Sequence, residues 1–355
     1  MDLSDEDLIS AGEEAEGLYE HFRFTADKGQ GLLRVDKFLA DHMTQTSRNR
    51  IQNAIAAGYV RVADKVVKAN YKVKPDDVIT IVLPYERRGF SIDPEPIPLD
   101  IVYEDEDLLV IDKPAGMVVH PGHGHASGTL LNALAYHLGI DPSQTADDEH
   151  MGILVHRIDK DTSGLLVVAK NDASQLFLAR QFFDHSIERQ YLALVWGNVA
   201  EDSGTVEGNI GRDPNDRLRF KVFPEGDQGK HAVTHYRVSE RFGYVTLVEC
   251  VLETGRTHQI CVHMNSIGHP LFNDSLYGGD RILKGPLYAK YKQFIDNCFA
   301  LMPRQALHAQ TLGFVHPRTG KMIRFASPVP QDMEALISKW RRYTGAKELP
   351  DDEEL

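Results

Sequence analysis

The stretch that most limits how this chain can fold is His156-Arg157-Ile158-Asp159-Lys160-Asp161-Thr162-Ser163-Gly164, which runs directly into Leu165-Leu166-Val167-Val168-Ala169. The apolar half reads as a strand buried on both faces. The charged half cannot be buried unpaired, so it must be a loop opening at the end of that strand. Taken alone, Asp159 and Asp161 fit two roles. They can cap turns, the commoner use of aspartate in such a loop, or they can be carboxylates that carry chemistry.

The rest of the chain supplies more strands than helices. Strands are expected at Leu108–Ile111, Leu165–Ala169, Tyr191–Trp196, Tyr244–Leu252 and Gly313–His316, and helices near Thr129–Leu138, Ala173–Asp184, Arg256–Ile267 and Gln331–Arg342. Neighbouring strands lie close in sequence, which suggests an α+β domain with a mixed, largely antiparallel sheet flanked by helices. This domain is expected over residues 99–343. Ahead of it, Ser91-Ile92-Asp93-Pro94-Glu95-Pro96-Ile97-Pro98 makes 85–98 a stiff, proline-rich linker. Residues 280–303 have the look of a surface insertion, with a part in shaping a substrate groove as the other option.

Residues 29–84 form a separate small α/β module. Leu33, Phe38 and Leu39 share one helix face with Asp36 and Lys37 outward, Ser47 can cap a second helix that Gly58 ends, and 59–62 and 78–82 are short strands. The module carries nine lysines and arginines against five acids. Arg48 and Arg50 stand at the start of the second helix, where a phosphate is also favoured. A net charge of −13 argues against a nucleic-acid partner only until it is located. Residues 1–28 hold nine acids against Arg23 and Lys28, and 346–355 hold five against Lys347. These acidic ends, 1–28 and 344–355, read as solvated and flexible, and they leave the body near neutral. No apolar run is long enough to span a bilayer, and Met1-Asp2-Leu3-Ser4-Asp5 has neither part of a secretory leader. Three cysteines, Cys250, Cys261 and Cys298, form no CxxC pair. A cytoplasmic protein is expected.

Two further stretches carry information. Leu108-Leu109-Val110-Ile111-Asp112 ends at Lys113-Pro114-Ala115-Gly116, a loop forced at a strand end. Leu252-Glu253-Thr254-Gly255-Arg256-Thr257-His258-Gln259-Ile260-Cys261 passes from a strand to a helix, with Arg256 at the junction free to reach a carboxylate. His120, His123 and His125 suggest a metal, but loop glycines crowd them and no His-x-x-x-His helix spacing is present. A polar loop lining a site is the better reading, and no metal or cofactor is expected.

Together the three ordered stretches resemble RluA/RluD-type pseudouridine synthases, and the likeness runs from about residue 29 to 343. The basic module resembles the RNA-binding module first known from a small-subunit ribosomal protein, which large-subunit rRNA members of the family carry. It departs at Pro75-Asp76-Asp77, where a Gly-Asp turn is common. The resemblance implies that Asp159 is the catalytic aspartate, Tyr191 the tyrosine stacking on the target base, Arg256 the arginine pairing with the aspartate, and Ile260 an apolar neighbour of the base. Arg157 would contact the RNA backbone or fill the space left by the extruded base. Cys261 stands where the family usually has arginine.

The chemistry suits these residues. Uridine isomerisation breaks N1–C1′ and rejoins the base through C5, so nothing is oxidised and no group is lost. A carboxylate can split that change into easier steps. The base must leave its stack, and an aromatic platform can then hold its face. The expected function is therefore an isomerase, working as a monomer on uridines of large-subunit (23S) rRNA. Alternatives are the same chemistry on tRNA, a non-catalytic RNA-binding ribosome assembly factor, and, more remotely, a metal-dependent hydrolase using the histidines.

Overall fold

A computed structural model of the chain describes residues 19–43, 48–83, 92–122, 125–140 and 153–348. Its contacts separate one unit within residues 1–90 from another within 91–355.

In the first unit, short alternating strands wrap two helices. Strands β1 (Tyr19–Thr25), β3 (Val60–Val62), β4 (Lys65–Val66) and β6 (Val78–Leu83) form a sheet of order β1-β6-β3-β4, while β2 (Leu33–Arg34) pairs with β5 (Lys72–Val73). Helix α1 (Val35–His42) buries Val35, Phe38 and Leu39, and α2 (Arg48–Ala56) buries Ile51, Ala54 and Ile55. Two expectations are corrected. Strand β1 falls inside the segment read as acidic and flexible, because Phe22 and Ala26 reach the core beneath the charged residues. Asp36, placed outward by periodicity, is fully buried and accepts hydrogen bonds from Arg34, Arg48 and Gln52. Burial alone would raise its carboxyl, but these donors outweigh it and hold the pKa at about 2. The turn at Pro75-Asp76-Asp77 forms without glycine, with Asp76 at φ +63°. Ser47 lies outside the described residues.

The second unit is built on one sheet. Its strands are β7 (Ile101–Glu104), β8 (Leu108–Lys113), β9 (Ser163–Ala169), β10 (Glu188–Trp196), β11 (Ser203–Asp213), β12 (Asp216–Phe223), β13 (Lys230–Arg241), β14 (Val245–Leu252), β15 (Leu307–Val315) and β16 (Met322–Ala326). The order is β12-β11-β13-β14-β10-β15-β9-β8-β7, with β16 on β15. Every pair is antiparallel except β9 with β15. The sheet is thus mixed and largely antiparallel, as expected. On one face lie helices α3 (Leu130–His137) and α5 (Gln259–Ser266). On the other lie α4 (Asp172–Phe183), α6 (Ala289–Leu301) and α7 (Gln331–Glu348).

Two more segments differ from expectation. The supposed insertion 280–303 contains α6, whose Tyr291, Ile295 and Cys298 are buried beside Trp196 and Trp340. Its apolar residues recur at helical spacing and complete a core, so it is no surface loop. Likewise 92–98 packs on the rest of the second unit: Ile92 is buried, Glu95 accepts from the Gly128 amide, and Asn132 donates to the Asp93 carbonyl.

The parallel contact decides where the charged loop lies. Ser163 and Gly164 pair with His308 and Ala309. Gly164 has φ +115°, and a Cβ there would stand 2.2 Å from the Ala309 carbonyl oxygen. Only glycine permits this approach, which explains the Thr-Ser-Gly start of the strand. Gly164→Ala is expected to cost about 3 kcal/mol or more, from backbone strain plus overpacking. Urea unfolding checks this, and a variant as stable as the parent would show that β9 and β15 can separate without cost.

Candidate active site

The loop before β9 ends in a cavity of about 460 Å³ lined by residues from five separate segments, one of them Leu307 of β15. Arg157 and Asp159 come from the loop, Phe182 and Phe183 from the end of α4, Arg189 and Tyr191 from β10, and Arg256 and Ile260 from the turn into α5. Five residues singled out in the sequence, Asp159, Tyr191, Arg256, Arg157 and Ile260, therefore line one cavity. Arg48 and Arg50 belong to the first unit. Arg48 is tied to Asp36 at 3.0 Å with its side chain half exposed, and the Arg50 side chain lies outside the described residues.

Asp159 sits in a turn closed by the Thr162 amide donating to its carbonyl. The turn is held from below by Lys113. That side chain is fully buried, and its Nζ donates to the carbonyls of Pro114, Met117 and Lys160 at 2.9–3.0 Å. Burial lowers its pKa to about 8, while Asp161 and Asp159 pull it back upward. The Lys-Pro-x-Gly loop thus places a cation under the carboxylate and fixes the backbone beside it. On the outer side, His125 approaches Lys160 with its Nε2 at 3.3 Å from Nζ. This agrees with a polar loop near the site, and His123 lies outside the described residues.

The expected Asp159–Arg256 ion pair does not form. Arg256 lines the cavity, but its Nε donates to the His231 carbonyl at 2.9 Å. The cation-capable group facing Asp159 is His258, whose Nε2 is 4.0 Å from Oδ1. His258 adopts a left-handed conformation at φ +53°, uncommon for a non-glycine residue, and its Nδ1 is 2.9 Å from the Tyr277 hydroxyl. Helical spacing could not foresee this, because His258 precedes the first helical residue.

Gln259 holds the turn that carries Arg256. Its Oε1 accepts from the Arg256 amide and the Thr254 hydroxyl, while Nε2 donates to the Val233 carbonyl and the Thr234 hydroxyl. Both ends of the buried amide are satisfied. The signal in the sequence was a glutamine inside an otherwise apolar helix start. Cys261, where an arginine is usual, is buried against Asp274 and turned from the cavity; burial first, then Asp274, raises its thiol well above the ordinary range. Tyr191 is 8% exposed. Burial raises its phenol, Arg189 draws it down, and Asp159 pushes it up again, so it stays neutral.

His156 lies behind the loop. Its Nε2 accepts from the Val167 amide at 3.0 Å, and its ring stacks on Phe182. Burial, helped by the Arg189 charge, lowers its pKa to about 3.

The second unit thus brings a carboxylate, a buried tyrosine and arginines to one cavity beside a mixed sheet, and the first unit carries a cluster of basic residues. A family model described as RNA pseudouridylate synthase matches residues 107–266, and the S4 domain model matches 33–79. The chain is 46% identical over 318 residues to an uncharacterized RNA pseudouridine synthase of Bacillus subtilis, covering 90% of this chain and 97% of that one. It is 44% identical over 306 residues to ribosomal large subunit pseudouridine synthase D of Zymomonas mobilis, covering 86% and 92%. Among solved structures, human RNA Pseudouridylate Synthase Domain Containing 4 shares the fold, with TM-score 0.53 at 22% identity over 68% of this chain and 92% of that one. The chain belongs to the RNA pseudouridine synthase family.

Two outcomes follow from this geometry. Gln259→Leu leaves a buried amide and hydroxyls unpaired, so it should cost about 1–3 kcal/mol of stability and lower activity by loosening the Arg256 turn. Denaturation and turnover measured together check it, and unchanged values for both would remove the clamp role. His156 and His263 have folded pKa values of about 3 and 4 against 6.5 for a free histidine. The unfolded chain then binds more protons below about 6.5, so stability is full above that pH and falls as pH drops toward 4. His156→Gln should flatten part of that decline, as read from denaturation midpoints against pH.

Proposed function

We propose that this protein converts uridines of large-subunit rRNA to pseudouridine with Asp159 as the nucleophile. The observation that carries the reading is the convergence of Asp159, Tyr191, Arg256, Arg157 and Ile260 on one cavity, although they span about a hundred positions of sequence. The target nucleotide enters extruded from its stack, and Tyr191 faces the base while Ile260 packs beside it. N1–C1′ breaks, the uracil turns, and C5–C1′ forms. The proton leaving C5 is balanced by the one gained at N1, so the reaction needs no redox cofactor. Asp159 is partly exposed to the cavity and has no hydrogen-bond donor on its carboxylate among the described residues, which leaves it available to attack. Lys113 lies beneath it, its ammonium fixed on the backbone carbonyls of Pro114, Met117 and Lys160.

The choice of large-subunit rRNA rests on relatives such as the Zymomonas mobilis protein and on the basic module. There, Arg48 and Arg50 are the residues we assign to the RNA backbone. Arg157, exposed beside Asp159, contacts the backbone or fills the place of the extruded base. We assign RNA binding to the module within residues 1–90 and the reaction to the unit within 91–355, whose helix α7 runs to Glu348, past residue 343 where the sequence placed the end of the domain. The three cysteines are unpaired and buried, which suits the cytoplasm. No helix among the described residues is long and apolar enough to cross a membrane.

Asp159→Asn should abolish tritium release from uracil C5 of labelled rRNA while leaving RNA binding within about twofold, since shape and hydrogen-bond reach are kept. Pseudouridine mapping of rRNA and tRNA in a deletion strain identifies the pool. Sites lost from tRNA alone would move the substrate, and persistent turnover by the Asn variant would displace Asp159.

A further inference from the structure

Two arginines of the second unit are buried among the described residues, and they differ in one respect. Arg304 is saturated: Asp332 accepts from its Nε and Nη2, and the carbonyls of Asp161, Gln305 and Leu307 and the Ser163 hydroxyl take further N–H groups. Arg189, at 8% exposure, has no acidic partner among the described residues, and its Nε is enclosed without an acceptor there. Its guanidinium lies 5.3 Å from the Phe182 ring centroid, with Nη1 close to the backbone at Gly255, and it lines the cavity that holds Asp159.

This arrangement is costly in the empty protein. Arginine keeps its proton even when buried, and a desolvated cation without a counter-charge is strongly unfavourable. Nearby groups offer no relief. Phe182 provides only its ring face, and His156, stacked on the same ring, is held neutral by burial first and then by Arg189 itself. What the site lacks is a permanent anion arriving from the cavity. In RNA the phosphodiester is that anion, and the planar guanidinium matches it with paired N–H groups. Arg189 also stands two residues before Tyr191 on one face of β10, a separation of about 7 Å along a strand. That suits a nucleotide whose base lies at the tyrosine and whose phosphate lies further along.

We propose that Arg189 forms the phosphate subsite of the cavity, receiving a phosphodiester that flanks the target uridine. The proposal rests on the uridine-isomerising reading of the same cavity. In this role Arg189 is a binding residue that fixes the nucleotide for Asp159, with Phe182 orienting the guanidinium and Gly255 leaving room for it.

The test uses the full chain and a synthetic RNA stem-loop carrying the uridine mapped in the deletion strain. Variants of that RNA have one neutral methylphosphonate linkage, 5′ or 3′ of the uridine. Arg189→Gln should lower kcat/KM about 10- to 100-fold, the loss of a charge-assisted contact. One neutral linkage should cost the parent protein a similar factor. Combining the variant with that linkage should cost little more than either change alone. In the Asp159→Asn background, adding Arg189→Gln should reduce the slope of log Kd against log salt by about 0.7, one phosphate on a single strand. Arg189→Lys should recover part of the loss. The melting temperature of Arg189→Gln should hold or rise, because no ion pair is lost. Full activity of Arg189→Gln, or a loss that is the same whichever linkage is neutral, would overturn the proposal, the second result pointing to a base contact or a structural role. Failure of the parent protein to release tritium from the stem-loop would instead count against the functional reading, independently of Arg189.

Discussion

Gly164 touches the Ala309 carbonyl across the parallel pair of β9 and β15. This contact is where the sheet changes from antiparallel to parallel pairing, and the polar loop 156–162 leaves the sheet at that point. With a side chain at 164, the two strands would have to part, and the carboxylate of Asp159 would move with them. The buried network around Arg304 reinforces the same place, joining Asp161, Ser163 and Leu307 to Asp332 of α7. The catalytic loop is thus fixed at its rear by backbone contact and buried charge, and at its base by the three carbonyls that Lys113 gathers.

Around the cavity, the groups that hold its lining in place are saturated. Gln259 uses both ends of its amide, Lys113 all three of its protons, and Arg304 every side of its guanidinium. The Asp159 carboxylate and the Arg189 Nε, by contrast, have no hydrogen-bond partner among the described residues, and both side chains line the cavity. A polar group kept dry and unpaired destabilises the fold. Such groups are tolerated where a ligand completes them.

Legibility in the sequence varied with the reach of the interaction. Leu165–Ala169, Tyr191–Trp196 and the helices on 130–137 and 172–183 were plain from apolar periodicity, which depends on near neighbours. Strands β11, β12 and β13 were missed, since their outer faces carry many polar residues that blur the alternation. Helix α6 passed for an insertion because its buried face is Tyr291, Ile295 and Cys298, a sparse apolar set that makes sense only against Trp196 and Trp340. Asp36 read as a surface residue, for nothing in its local pattern shows the three donors that converge on it.

Sequence by itself determined the chemistry-bearing types and their order: a loop with Asp159 before a buried strand, Tyr191 within a later one, and a strand-to-helix turn with Arg256. Those are local facts, set by composition and short-range conformational preference. Tertiary structure decided the pairings. It placed His258 rather than Arg256 against Asp159, sent the Arg256 Nε to the His231 carbonyl, turned Cys261 away from the cavity, and left Arg189 buried without a counter-ion among the described residues. Hydrogen bonds and charge pairs depend on distances of a few ångströms between segments far apart in the chain. Those distances exist only once the sheet has closed around them.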